Sequence, residues 1–140
     1  MSKGPITDSA RAPEPVGPYP HARRVGNLLF LSGVGPRARG TKEIPGVTLD
    51  ADGRVTAYDI EAQCRSCFDN VHTVLEDAGA SLDDVVDVTV FLTDMKRDFE
   101  TMNRVYAEYF GAVRPTRTTI EVGALPTPIA VELKVIAALE

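Results

Sequence analysis

The chain has 140 residues, 44% of them hydrophobic and 25% charged, with 15 basic against 20 acidic side chains and a net charge of −5. That balance describes one soluble globular domain with a single core and excludes a disordered or fibrous chain. It also argues against a nucleic-acid binder, which needs a basic face, although Arg23, Arg24, Arg37 and Arg39 leave room for a local basic pocket.

Met1 to Arg11 is polar and lacks the apolar stretch of a secretory signal, and no apolar run approaches the length of a membrane span. A cytoplasmic location without a membrane partner is the expectation. Residues 1–15 carry Pro5, Pro13 and Pro15 and read as an extended or frayed, flexible arm ahead of a domain at 16–140. Gly17-Pro18-Tyr19-Pro20 is a rigid segment that fixes Tyr19. Leu28 to Ser32 reads as a buried strand ended by Ser32-Gly33.

Val34 to Gly53 is a long loop punctuated by Gly and Pro, a kind that is functional or mobile in so small a domain. Asp52-Gly53 signals a turn before a short strand around Arg54 to Thr56. Thr56-Ala57-Tyr58-Asp59 looks like a capping box. From Ile60, apolar residues recur at helical spacing through Cys64, Cys67, Phe68, Val71, Val74 and Leu75 to Ala78, with Gly79 as the stop. Val85 to Thr93 alternates like a half-buried strand. Asp98 is placed to cap a second helix whose Phe99, Met102, Tyr106, Tyr109 and Phe110 share one face. Thr118 to Val122 and Ile129 to Ala138 close the chain as strands around a Pro126/Pro128 turn.

The order β-β-α-β-α-β-β predicts an α+β fold, one sheet covered on one face by two helices. Val131, Leu133, Val135 and Ala137 share one face of the last strand, with Ile136 on the other, so a homo-oligomer is the natural cover for the second face.

Arg117, where a loop enters a strand, can present a planar charged fork to a carboxylate. Glu132 interrupts an apolar strand; it is either a site carboxylate or one member of a surface pair with Lys134. Asn103 falls near the apolar stripe of the second helix, as a structural bridge or a site residue. Tyr19 is either packing or site, and His21 beside it is a site candidate, whereas His72 lies off the core stripe. Cys64 and Cys67 form a CxxC with no further ligand pair to complete a zinc site, and their place on the apolar stripe favours core packing. The chain shows no nucleophile triad, Walker loop, dinucleotide fingerprint or metal cluster, so chemistry without a cofactor is expected.

Several segments together carry a family likeness: GPY at Gly17–Tyr19, LLFLSG at Leu28–Gly33, DIEAQCRSCFDNVHTVLEDAG at Asp59–Gly79, DVTVFLTDMKRDFETMNRVYAEYF at Asp87–Phe110, RPTRTTIEVGALP at Arg114–Pro126 and VELKVIA at Val131–Ala137. From about Pro18 to Ala137 the chain resembles the RidA/YjgF family of imine and enamine deaminases. The resemblance implies a chorismate-mutase-like α+β domain in a homotrimer, with small-molecule clefts between subunits. It implies that Arg117 binds the substrate carboxylate and that Glu132 serves the hydrolytic water. Tyr19 and Asn103 match pocket residues, Ser32 and Gly33 the strand end lining the cleft, and Thr119 stands where many members carry cysteine.

Tyr19-Pro20-His21 followed by Arg23-Arg24, and the longer Val34–Val47 loop, look more like the 2-aminomuconate deaminase branch. That substrate has two carboxylates, and burying one unpaired is costly. Arg37, Arg39 or His21 could meet the second; alternatively the loop arginines are solvated or serve subunit contacts. The rivals to such a deaminase are a general 2-aminoacrylate hydrolase, a ribonuclease or translation inhibitor, and a non-catalytic metabolite-binding trimer.

Overall fold

The computed structural model describes residues 3–140. Eight strands are present: β1 Lys3–Thr7, β2 Ala22–Val25, β3 Leu28–Leu31, β4 Val47–Leu49, β5 Val55–Tyr58, β6 Val85–Leu92, β7 Thr116–Glu121 and β8 Val131–Ala138. Helices α1 (Ile60–Asp77) and α2 (Met95–Phe110) lie between them. The main sheet runs β1-β2-β3-β8-β6-β7, with β6 and β7 parallel and the other neighbours antiparallel, and β4–β5 form a separate hairpin.

Alternation decides which face is covered. Val131, Leu133, Val135 and Ala137 of β8, with Val88, Val90 and Leu92 of β6, are fully buried against Cys64, Cys67, Phe68, Val71, Val74 and Leu75 of α1 and Met102 and Val105 of α2. Each such aliphatic side chain contributes on the order of 1.5–3 kcal/mol when withdrawn from water. The opposite face carries Phe30, Phe91 and Ile136, only half-buried, with Ile120 more exposed. The α+β expectation of one mixed sheet with two helices on one face holds.

The ends of the elements differ from the sequence reading in instructive ways. Residues 3–7 of the expected flexible arm pair with β2, and Ser9 and Ala12 are buried, so this segment is extended but seated on the domain; Met1 and Ser2 lie outside the described residues. β1 and β2 escape a periodicity search because Lys3–Thr7 (KGPIT) and Ala22–Val25 (ARRV) are short and show no polar/apolar alternation. The signal for β2 is Gly26-Asn27, a two-residue hairpin turn between Val25 and Leu28 with Gly26 at φ 60.

Thr56 belongs to β5 rather than to a capping box, and Asp59 alone caps α1 by accepting from the Ala62 amide at 3.2 Å. Asp94, not Asp98, caps α2, accepting from the Arg97 amide at 3.0 Å. Asp98 is buried inside the first turn, where it accepts the Tyr58 hydroxyl at 2.7 Å. Two aspartates four residues apart satisfy the same cap preference, and only their burial separates them.

Candidate functional site

Glu132 sits on central strand β8, on the face turned away from the helices, with its neighbours Val131 and Leu133 buried beneath it. It lines a cavity of about 460 Å³ with Val16, Tyr19, Gly33, Gly35, Arg37 and the turn leading into β8. The walls are tight: a Cβ on Gly33 would come 2.7 Å from Glu132 Oε2. Burial pushes the Glu132 carboxyl above its ordinary pKa, and the charge of Arg37 pulls it partly back. The alternative pairing with Lys134 is absent, because Lys134 Nζ donates to the Leu31 carbonyl. Burial also lowers the Lys134 pKa.

The loop that follows β3 is a fixed wall where it meets Glu132. The amide and carbonyl of Val34 pair with Leu133, Ser66 Oγ donates to the Pro36 carbonyl, and Asn70 Nδ2 donates to the carbonyls of Gly35 and Arg37. Its far end is the β4–β5 hairpin. Ser32 Oγ donates to the Pro20 carbonyl at 2.8 Å, tying the Tyr19 segment to the end of β3.

Arg117 belongs to a different place. It lies on edge strand β7 opposite Val88, whose side chain faces the helices, and its guanidinium lies 4.7 Å from the Tyr106 ring centre and 5.9 Å from that of Phe99. Both rings belong to α2, and half-buried Asn103 stands between them at helical spacing. Two residues on, Thr119 has a buried hydroxyl with no hydrogen-bond partner, and the Tyr106 hydroxyl is likewise buried and unpartnered. Arg117 lines an open cavity of about 590 Å³ with Tyr106, Phe110, Gly111, Arg114 and Pro115.

Within one chain, then, the sequence-predicted residues fall into two groups. Tyr19, Ser32, Gly33, Arg37 and Glu132 gather at one end; Asn103, Arg117 and Thr119 gather across the sheet, with β6 lying between β8 and β7. The side chains of Glu132 and Arg117 leave opposite faces of that sheet.

Two predicted residues have other work. His21 Nδ1 accepts from the Ser9 amide at 3.0 Å and Nε2 donates to the Pro13 carbonyl at 2.8 Å, so both nitrogens hold residues 9–13 in place. Arg39 donates to the carbonyls of Ser9 and Ala12. Of the three groups considered for a second carboxylate, only Arg37 lines the Glu132 cavity, while one of its guanidinium nitrogens donates to the Glu14 carbonyl at 2.6 Å. Cys64 and Cys67 are free thiols packed in the core, and burial pushes the Cys64 pKa up to about 12 and that of Cys67 well above the usual thiol range, which disfavours the reactive thiolate. The sequence reading treated Phe99 and Tyr106 only as core and passed over Arg114; their signal was a helix face aimed at the Arg-Pro-Thr-Arg stretch.

The fold is an α+β domain, a mixed sheet backed by two helices, with a desolvated carboxylate at one end and an aromatic-backed arginine at the other. The family described as Endoribonuclease L-PSP matches residues 9–139. A RutC family protein of Pyrococcus abyssi is 42% identical over 128 residues, covering 91% of each chain. The chloroplastic Reactive Intermediate Deaminase A of Arabidopsis thaliana is 35% identical over 137 residues, 98% of this chain and 67% of that protein. Among solved structures, Escherichia coli TdcF with bound serine superposes with a TM-score of 0.83 at 33% identity, covering 98% of this chain and all of the other. The E. coli YjgF gene product gives 0.82 at 31% identity over 98% and 100%. The chain belongs to the RidA/YjgF family.

Proposed function

We propose that the protein is a hydrolytic deaminase of conjugated enamine and imine acids. Its working cleft joins the Glu132 group of one copy to the Arg117 group of another. The observation that carries the reading is Glu132: a half-buried carboxylate with no cationic partner in contact among the described residues, its pKa raised by desolvation, facing a cavity that Gly33 keeps open. A carboxylate in that state is a better proton acceptor than one in water. The uncovered sheet face with Phe30, Phe91 and Ile136, and the unpartnered hydroxyls of Tyr106 and Thr119, support an assembly in which another copy completes the site. A homotrimer is the assembly we infer.

In this mechanism Arg117 grips the α-carboxylate bidentately, backed by Tyr106 and Phe99. The enamine takes a proton from solvent on carbon, giving an iminium with an electrophilic C2. Glu132 removes a proton from water as the oxygen bonds to C2. The protonated Glu132 then passes that proton to the nitrogen, and as the C–N bond breaks the new hydroxyl returns its proton to solvent, so that ammonia leaves an oxo acid. Overall, one enamine acid and one water give one oxo acid and one ammonia. Thr119 orients groups near the anion, and Tyr19, Ser32 and Asn103 shape the cleft.

The finer reading is 2-aminomuconate as substrate, giving 4-oxalocrotonate, with Arg37 meeting the second carboxylate from the Glu132 cavity. The competing reading is a general 2-aminoacrylate hydrolase, favoured by the names of the relatives. Ammonia release from the two substrates, measured side by side with wild type and Arg37→Gln, separates them. We expect Arg37→Gln to raise KM for 2-aminomuconate about tenfold or more, the cost of leaving a carboxylate unpaired, with little change for 2-aminoacrylate. Turnover of 2-aminoacrylate alone removes the dicarboxylate reading, and turnover of neither removes the deaminase reading. RNA cleavage undiminished in a pure Arg117→Ala protein would instead revive the ribonuclease reading.

A further inference from the structure

Arg114 is the one non-glycine residue with positive φ among the described residues, at φ 56. Any residue with a Cβ is disfavoured there, and a following proline pushes its predecessor toward extended backbone as well. Glycine or asparagine would make the same turn with less strain, yet an arginine occupies it. The turn has a visible result. The Arg114 amide closes on the Phe110 carbonyl at 2.9 Å to end α2, and the Arg114 side chain lines the cavity that Arg117 lines with Tyr106.

The electrostatics of that cavity are unbalanced. Neither Arg114 nor Arg117 has a carboxylate within 4.0 Å among the described residues, a state shared with Arg23, Arg24, Arg37, Arg39 and Arg54, but these two line one and the same cavity. Both arginines line the same open space, so an anion placed there would meet two positive charges. Tyr106, which also lines the cavity, keeps a buried hydroxyl without a partner. A strained backbone, two uncompensated guanidinium groups and an unsatisfied hydroxyl all bear on one space.

We propose that Arg114 is a second carboxylate-binding residue, and that it and Arg117 hold one and the same carboxylate between them. Arg117, backed by the aromatic rings, fixes the orientation. Arg114, at the exposed rim, supplies the second positive charge and attracts the anion from solution. The inference rests on the carboxylate-anchor reading of Arg117 and extends it to a residue that acts in capture, so its loss weakens binding without touching the proton transfers at Glu132.

The test is equilibrium binding by calorimetry, using muconate and sorbate, a dienedioate and a dienoate that lack the amino group and do not react. Wild type is compared with Arg114→Gln, Arg114→Lys, Arg114→Gly and Arg117→Gln. Removing one charge-assisted contact at an exposed rim should weaken both acids about tenfold in Arg114→Gln, with partial retention in Arg114→Lys and a shallower salt dependence in Arg114→Gln. Arg114→Gly should bind as weakly as Arg114→Gln while melting at or above the wild-type temperature, because glycine fits φ 56. That combination separates a binding role from a structural one. Unchanged affinity for both acids in Arg114→Gln overturns the proposal, as does a loss confined to muconate, or no binding of either acid by wild type. Arg114-dependent binding by a protein that hydrolyses no enamine acid would leave this inference standing and the deaminase reading fallen; turnover with an Arg114→Gln protein unaltered in binding would do the reverse.

Discussion

The Glu132 and Arg117 regions use the same sheet in opposite ways. Glu132 stands on a central strand, walled by segments whose backbone is pinned to α1 and β8 through Val34, Ser66 and Asn70. Arg117 stands on the edge strand β7, braced only by the aromatic face of α2 and open to solvent. The contrast fits the chemistry proposed for each. A proton acceptor gains basicity from a dry, rigid surrounding that raises its pKa. A carboxylate receptor must be reached by a charged ligand and needs a fixed cation more than a dry one. The Arg117 half has no carboxylate in contact and the Glu132 half has only Arg37, itself hydrogen-bonded to the Glu14 carbonyl, which is the physical argument for the proposed cleft between two copies.

The largest expected effect comes from removing the proposed proton acceptor. Glu132→Gln keeps the shape and hydrogen-bonding capacity but not the basicity, so kcat should fall roughly 10²–10⁴-fold with KM nearly unchanged; steady-state ammonia release measures both. A large rise in KM instead would move Glu132 from chemistry to binding. Arg117→Gln should show the reverse emphasis, a loss of roughly 10–100-fold in kcat/KM carried mainly by KM, the scale of a charge-assisted bidentate contact. An equal split between the two halves would erase the distinction drawn above.

Gly33→Ala tests the tightness of the Glu132 wall. The added Cβ would stand 2.7 Å from Glu132 Oε2, so the carboxylate must shift. We expect about a tenfold loss of kcat from the misplacement, with a melting temperature close to wild type because Gly33 is exposed. Unaltered kcat would mean that the position of Glu132 is not critical.

The smallest effect concerns pH. Because burial raises the Glu132 pKa, the carboxylate needed for catalysis exists only above that raised value. Activity should therefore be lost on the acid side at a pH above the ordinary glutamate value of about 4.3. Arg37 opposes the shift, so Arg37→Gln should move the acid limb of kcat/KM for 2-aminoacrylate upward by a fraction of a pH unit. A downward move would contradict the assigned electrostatics.

The long periodic elements were legible in the sequence because a helical stripe from Cys64 to Leu75 and the alternation of Val131 to Ala137 reflect burial directly. β1 and β2 were not, because their polar residues pair by register with a neighbour instead of by burying a face of their own. The same limit applied to the site. Arg117 and Glu132 stood out as charges set against apolar or β-branched neighbours. His21 and Arg39 looked equally promising until their hydrogen bonds to Ser9, Ala12 and Pro13 committed them to holding the N-terminal segment. A sequence reveals that a cation is present, while what occupies its donors depends on backbone from a distant segment. Nor could it show that Arg117 and Glu132 leave opposite faces of the sheet, since that follows from register: Arg117 pairs with Val88 and Glu132 with Phe91, which lie on opposite faces of β6.

The central claim is that one working cleft takes Glu132 from one copy and Arg117 from another. Mixing Glu132→Gln and Arg117→Gln proteins, co-refolded so that subunits exchange, tests it most directly. In a mixed assembly some clefts combine the intact Arg117 of one variant with the intact Glu132 of the other. At substrate well below KM, where each variant alone is impaired, the mixture should recover about a quarter of wild-type kcat/KM at a one-to-one ratio, the share expected for random assortment around a closed ring. A co-refolded mixture no more active than either variant alone, with mixed assemblies verified by mass, would contradict the account.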